Sequence, residues 1–496
     1  MFAQIFKHAQ QRPQAIALQG ASSQLTYADL QREVLQLADW LSADAPGGGI
    51  GLAMDNSPAW IVADLAALYG QRPTIPLPAF FSEAQKQHAL VDAGVHLLLT
   101  DHPEYWLQLC PQAALLTVKL VAGLSVSVLR FPAMPRQQSA AKITYTSGTT
   151  GQPKGVCLSA DAMWQVAQTV CQATQQSAAD RHLCVLPLAT LLENVAGVYA
   201  SLLAGATVVV PGCAQVGFSG SQFRIDALYA ALQSQQATTA ILIPELFQAL
   251  LQYVAAGHAA PAALRFVAVG GARVEAALLQ QARQLQLPVY EGYGLSECAS
   301  VVTLNLPDAN KPGSIGRALP HVQLRVDAQG ELWVKGPHYL GYAQKEGGYV
   351  AAMQDADGFI ATGDLGYQDS EGYWFVNGRK KHVFITSFGR NVSPEWVESA
   401  LQAAGLAQVC LFGEARPFNV AVVVLRAGQR EEAAAAHIAQ VNHGLPDYAR
   451  VGRWVIAQSP FTPQNMQLTA NGRLRRDQIW QDYQSQIASL YTIETI

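Results

Sequence analysis

Residues 143–156 read ITYTSGTTGQPKGV: an apolar, β-branched run leads into Thr146, Ser147, Gly148, Thr149, Thr150 and Gly151, and Pro153 and Lys154 follow. Clustered hydroxyls and backbone amides free of side chains can wrap phosphate oxygens, and a lysine at the exit compensates their charge. The segment differs from the GxxxxGK[ST] phosphate loop, because Pro153 replaces the glycine before the lysine and no Ser or Thr follows Lys154. A buried strand ending in a phosphate-binding turn fits an α/β sheet, whose ligands gather at strand ends.

The flanking sequence agrees. ATVVVP (206–211), TTAILIP (238–244) and LRFVAVGG (264–271) follow helical patterns, so helices alternate with buried strands and cover the faces of a sheet. From about Gly313 the texture changes to ELWVKG, GFIATGD and GYWFVNG, short strands punctuated by glycines that predict a β-rich subdomain. A second change comes at NGRKKHVFITSFGRNVSPEWVESAL (377–401), a charged turn followed by strands and a helix that Ser393 is expected to cap, with Pro394 in its first turn. Glu395 and Glu398 place negative charge near the positive end of that helix. The expected fold is α/β: a large N-terminal lobe over residues 1–378 with a β-rich subdomain, and a small mobile C-terminal α/β domain over residues 379–496, hinged near Lys381.

Composition narrows the partners. The chain has 496 residues, 50% hydrophobic and only 14% charged, which excludes a disordered chain or one small binding module. Its net charge of −4 and the lack of a long Lys/Arg run argue against nucleic acid. Seven widely spaced cysteines without a CxxC pair read as reduced thiols, and no secretory signal opens the sequence, so the expectation is a cytoplasmic protein. The uncharged run VAGVYASLLAGATVVVP (195–211) is short for a membrane span and changes character at Gly205, which predicts a buried helix, a turn and a strand in place of a transmembrane segment.

Together with VAVGGARV (267–274), VYEGYGLSECAS (289–300), ATGDLG (361–366) and the turn at 377–389, the opening motif resembles the adenylate-forming superfamily of acyl-CoA synthetases, nonribosomal peptide adenylation domains and luciferases. The likeness spans nearly the whole chain and is strongest to long-chain acyl-CoA synthetases. It implies that Gly270, Gly271 and Ala272 flank adenine and that Tyr293 packs on it. Ser296 would touch phosphate, Glu297 would hold Mg2+, and Asp364 would accept both ribose hydroxyls. Arg379 would contact ribose or phosphate, Lys381 would be the hinge, and Gly389 would mark the pantetheine entrance. Where the family carries a C-terminal lysine that enters the site during adenylation, this chain reads LTANGRLRR and places Arg473 there. Arginine keeps the charge but not the point geometry of an ammonium, which leaves three readings: Arg473 substitutes, Arg475 or Arg476 reaches in instead, or adenylation is impaired.

The resemblance implies activation of a small-molecule carboxylic acid by ATP to an acyl-adenylate, with Lys154, Ser296, Glu297 and Arg473 as the catalytic set, and transfer to the thiol of CoA. Two alternatives accompany it: loading of the phosphopantetheine of an acyl carrier protein, and a non-catalytic sensor of nucleotide or acyl-adenylate. Leu192 stands where peptide-synthetase domains place an aspartate for the substrate ammonium, and Thr190 stands near a histidine frequent in acyl-CoA synthetases. The apolar surroundings favour a fatty or other hydrophobic acid, and Glu193 is open to reading a polar substituent or to a capping or surface role.

Overall fold

The computed structural model describes residues 2–44, 48–132, 140–146, 153–219, 222–272, 274, 276–344, 348–388, 390–469 and 472–492. The parallel strands expected from 206–211, 238–244 and 264–271 are Thr207–Val209, Thr239–Leu242 and Phe266–Val269, and they sit in one nine-stranded sheet. Its centre runs parallel from Ile16–Gln19 through Thr207–Val209, Arg181–Leu183, Thr239–Leu242 and Phe266–Val269 to Val289–Leu295. The uncharged run folds as read: a π-helix, Leu192–Tyr199, continues as the α-helix Ala200–Ala204, stops at Gly205 in the left-handed region (φ +74), and enters the strand. Among the described residues no helix is long and apolar enough to cross a membrane.

A second nine-stranded sheet carries the strand that opens the key motif. Lys142–Thr146 pairs with Lys154–Leu158, and the neighbouring strands include Thr74–Pro76 and Gly49–Ala53 on one side and Gly341–Ala343 on the other. The glycine-punctuated stretch forms a four-stranded antiparallel sheet of Gln323–Val326, Glu331–Lys335, Ile360–Gln368 and Trp374–Arg379.

Beyond Arg379 a short turn, Lys380–His382, leads to a three-stranded sheet of Gln408–Phe412, Asn419–Val424 and Val451–Ile456. Its middle strand alternates perfectly. Ala421 and Val423 pack with Val397, Leu401 and Ile438 on one face, while Val420 and Val422 pack with Ile479, Tyr483 and Ile487 on the other. Ser393 stands at the N-cap of the helix Pro394–Ala404, but its hydroxyl makes no cap bond and donates instead to the Asn377 carbonyl at 2.6 Å. The expected cap is thus a tie across the turn to the preceding strand. Glu398 also departs from its expected place at the helix end: it is buried and paired with Arg476 through two bonds of 2.6 and 2.5 Å.

One polar cluster inside the large core has no counterpart in the sequence reading. Lys142, at 0% exposure, meets Asp64 of the helix Pro58–Tyr69 at 2.8 Å and Tyr199 of the π-helix at 3.0 Å, and also contacts Asn194. Tyr199 and Asn194 both donate to Asp64, at 2.5 and 3.0 Å. Burial pushes the Lys142 ammonium below its ordinary range, and Asp64 opposes that shift. Removing one partner from such a pair strands the other charge, whereas replacing both is far cheaper. Lys142→Met should therefore cost about 3–5 kcal/mol, read as an earlier denaturation midpoint, and adding Asp64→Leu should recover most of the loss.

Candidate active site

The site lies where the two large sheets and the four-stranded sheet meet. From one sheet comes Lys154, opposite Thr146 at the mouth of the strand pair. From the other comes Val289–Leu295 with Tyr293, followed at once by the short turn Ser296–Cys298. The third contributes Asp364 on Ile360–Gln368 and Arg379 on Trp374–Arg379, directly paired in register. Ser147, Gly148, Thr149, Thr150, Gly151 and Gly389 lie outside the described residues.

Close backbone approach shapes this corner. A Cβ on Gly294 would stand 1.8 Å from the Ser300 carbonyl oxygen, so only glycine permits the chain to double back between Tyr293 and Glu297. Gly270 and Gly271 leave the strand Phe266–Val269 beside Gly292, and Gly271 takes φ +90, a conformation that favours glycine. Ala272 follows them at the exposed end of the strand.

Asp364 is the buried anchor. Its Oδ2 accepts from the Tyr293 hydroxyl at 2.6 Å and its Oδ1 faces Arg379 Nε at 2.6 Å. Burial raises its carboxyl above the ordinary range, against the pull of Arg379, Tyr293 and Arg473. Each oxygen retains a lone pair for a further donor. Glu297 Oε1 accepts from the Tyr342 hydroxyl at 2.8 Å, and its backbone carbonyl accepts from the Tyr339 amide at 2.7 Å.

Four cations share this space with the two carboxylates. Burial and then the charges of Arg379, Arg473 and Lys154 push the Lys381 ammonium down, while Asp364 pulls it up. The Arg473 guanidinium is pushed down by burial and by Arg379 and held up by Asp364 and Glu297. Both side chains keep contact with solvent in the cleft. Arg473 is delivered by a turn in which Thr469 accepts and donates, at 3.0 and 2.7 Å. Arg476, one of the alternatives for this role, is committed to Glu398 inside the C-terminal core and does not reach in.

The residues read for substrate choice turn inward. Thr190 Oγ1 donates to the Pro187 carbonyl at 2.7 Å. Glu193 is neither a surface group nor open to a ligand: Oε1 contacts His182 Nε2 at 2.7 Å, and Oε2 accepts from the Val185 and Leu186 amides at 3.2 and 2.8 Å. With Cys184 these make a buried group of metal-ligand types within 4.8 Å of one another. Both oxygens of Glu193 and both nitrogens of His182 are already engaged, His182 Nδ1 by Thr239 at 3.0 Å. A Cβ on Gly197 would lie 2.5 Å from the Glu193 and His182 atoms, so this is a closed hydrogen-bonded clamp on the 182–186 turn. Sequence reading also missed Tyr342, Tyr339, and the pair of Lys380 with Glu331 at 2.6 Å, whose other oxygen accepts the Gly363 amide at 3.0 Å. The only sequence signal was the aromatic spacing in HYLGY.

Comparison with known proteins agrees with this geometry. The AMP-binding enzyme family matches residues 5–342, and the AMP-binding enzyme C-terminal domain matches residues 381–495. The chain therefore belongs to the AMP-binding enzyme family, and its named relatives are CoA ligases and synthetases. It is 29% identical to indoleacetate–CoA ligase of Aromatoleum aromaticum, across 96% of this chain and 97% of that protein. It is 28% identical to 2-succinylbenzoate–CoA ligase of Bacillus pumilus, across 78% and 80%. The fold matches O-succinylbenzoate coenzyme A synthetase of Bacillus subtilis, solved with ATP and a magnesium ion, with a TM-score of 0.75 at 24% identity over 96% and 98% of the chains.

Asp364→Ala should remove the acceptor that fixes Tyr293 and Arg379. Charge-assisted hydrogen bonds contribute about 1.5–3 kcal/mol, so calorimetric titration with AMP should show affinity weakened by about 10–100-fold.

Proposed function

We propose that this protein is a cytoplasmic ATP-dependent acid–CoA ligase acting on an aromatic or aryl-substituted carboxylic acid. The observation that carries this reading is the convergence of Lys154, Arg379, Lys381 and Arg473 on Glu297 and Asp364. Four cations against two carboxylates leave an excess of positive charge suited to a polyphosphate, and the carboxylates provide oxygen acceptors within it. The named relatives support the acid class, since their names specify indoleacetate and succinylbenzoate. The hydrophobic acid expected from the apolar sequence is thereby narrowed to one bearing a ring, and the leaning to long-chain fatty acids is set aside.

The first half-reaction joins two anions. A carboxylate oxygen of the acid attacks the α-phosphorus of ATP, the bond from that phosphorus to its bridging oxygen breaks, and pyrophosphate leaves with the electron pair. Lys154 and Arg473 screen the phosphates, Asp364 and Arg379 fix the ribose end, and Tyr293 with Gly270, Gly271 and Ala272 borders adenine. Ser296 offers its hydroxyl to phosphate. Glu297 fits Mg2+: it is a hard oxygen ligand, Tyr342 holds Oε1, and Oε2 accepts no hydrogen bond among the described residues. When bound, the ion neutralises phosphate charge. In the second half-reaction the CoA sulfur attacks the acyl carbon, the carbon–oxygen bond to AMP breaks, and AMP departs. Residues 1–378 and 379–496 act as the units that reorient about Lys381 between the two steps, with Gly389 at the pantetheine entrance. A carrier-protein phosphopantetheine presents the same thiol and is the competing acceptor.

Pyrophosphate exchange across a panel of acids tests this directly. Aromatic acids should support exchange and long-chain fatty acids should support it weakly, followed by faster transfer to CoA than to an acyl carrier protein. Nucleotide binding with no exchange for any acid would instead favour a sensor. Arg473→Lys should keep exchange within a few-fold, while Arg473→Ala and Glu297→Ala should each lower it by about 10²-fold or more, the scale of losing one preorganised charge-stabilising group.

A further inference from the structure

We infer that Tyr342 is a positioning residue that aims the Glu297 carboxylate and the Lys154 ammonium at one shared triphosphate, and this rests on the assignment of Glu297 above. Tyr342 belongs to the short strand Gly341–Ala343, which lies antiparallel on Lys154–Leu158 with Tyr342 opposite Val156. Glu297 belongs to the other large sheet, on the turn after Val289–Leu295. Tyr342 and Glu297 thus stand on different sheets.

The segment Tyr339–Tyr342 bridges them through three contacts. The Tyr342 hydroxyl donates to Glu297 Oε1 at 2.8 Å, the Tyr339 amide donates to the Glu297 carbonyl at 2.7 Å, and Lys154 Nζ lies 5.3 Å from the Tyr342 ring centroid. One aromatic side chain thus touches the cation of the phosphate-loop strand with its face and the carboxylate with its edge oxygen. The ring is itself braced by Tyr339, 5.0 Å away and tilted by 59°. A carboxylate held by one oxygen presents the other in a defined direction, which is what a small octahedral cation demands of its ligands.

Tyr342→Phe separates this role from packing, because it keeps the ring over Lys154 and removes only the hydroxyl. The measurement is Mn2+ binding in the presence of a non-hydrolysable ATP analogue, followed by electron paramagnetic resonance, with metal-free AMP binding as the check on an intact site. The expected result is metal affinity about tenfold weaker, the lower end of the loss when an outer partner of a metal ligand is removed, and AMP affinity unchanged. Unchanged metal affinity overturns the inference, as does an equal loss of AMP binding, which would mark a packing role. Glu297→Gln tells the two assignments apart. If it binds metal as the wild type does, the reading of Glu297 fails first; if it loses metal while Tyr342→Phe keeps it, only the role of Tyr342 falls.

Discussion

The buried pair of Lys142 and Asp64 sets the frame for everything at the site. An ammonium and a carboxylate withdrawn from water are costly unless hydrogen bonds support them, and here Asn194 and Tyr199 both donate to Asp64 while Tyr199 also accepts from Lys142. These four residues come from a helix and a strand of the sheet that enters the phosphate motif, and from the π-helix packed on the other large sheet. An apolar interface could slide by a turn with little change in buried area. A four-membered polar cluster closes in one register only, so it fixes where the strand Lys142–Thr146 points relative to the wall formed by residues 192–204. The i to i+5 spacing of a π-helix suits this task, since it brings Asn194 and Tyr199 onto one face, which a regular helix would spread apart.

Within that frame the site holds an unfavourable arrangement. Arg379, Lys381, Lys154 and Arg473 repel one another, and both Lys381 and Arg473 are shifted toward their neutral forms by burial and by those neighbours. Asp364 carries much of the compensation, and it does so with a carboxyl that is itself raised by burial. A polyanion placed among these groups relieves the repulsion.

Local chemistry was readable from sequence, and tertiary relations were not. Thr146–Lys154, Tyr293–Glu297, Asp364 and Arg379 are short motifs whose residue types state their purpose, and the structure gathers those of them it describes. The nearly unbroken apolar run of Asn419–Val424 is likewise that of a strand buried on both faces. Ser393 obeys the usual sequence preference for an N-cap but faces a better acceptor, the Asn377 carbonyl, which only the folded hairpin brings near. Glu193 looked open to polar recognition because its neighbours in sequence are apolar; its partners, His182 and the amides of 185 and 186, come from the preceding strand and turn. Lys142 gave no signal and Tyr342 only the aromatic spacing of HYLGY, since a lysine beginning a strand is ordinarily solvated and a tyrosine beside a glycine is ordinarily a packing residue.

The substitution of arginine for lysine at 473 gains meaning from Arg476. Three residues apart, the two guanidiniums face opposite ways: Arg473 toward Asp364 and Glu297, Arg476 into the C-terminal core. Arg476 clasps Glu398 with both nitrogens and lies 3.7 Å from Glu395, and Glu395 in turn contacts His382, the residue after Lys381. His382, the helix Pro394–Ala404 and the turn bearing Arg473 are therefore joined by a continuous chain of side-chain contacts within one lobe. Those contacts tie the turn that carries Arg473 to the segment that follows Lys381. A planar guanidinium can bind two oxygens at once and loses that benefit when displaced by a fraction of its length. A turn held in fixed relation to its lobe suits an arginine, because the planar fork then meets a bound anion in one orientation.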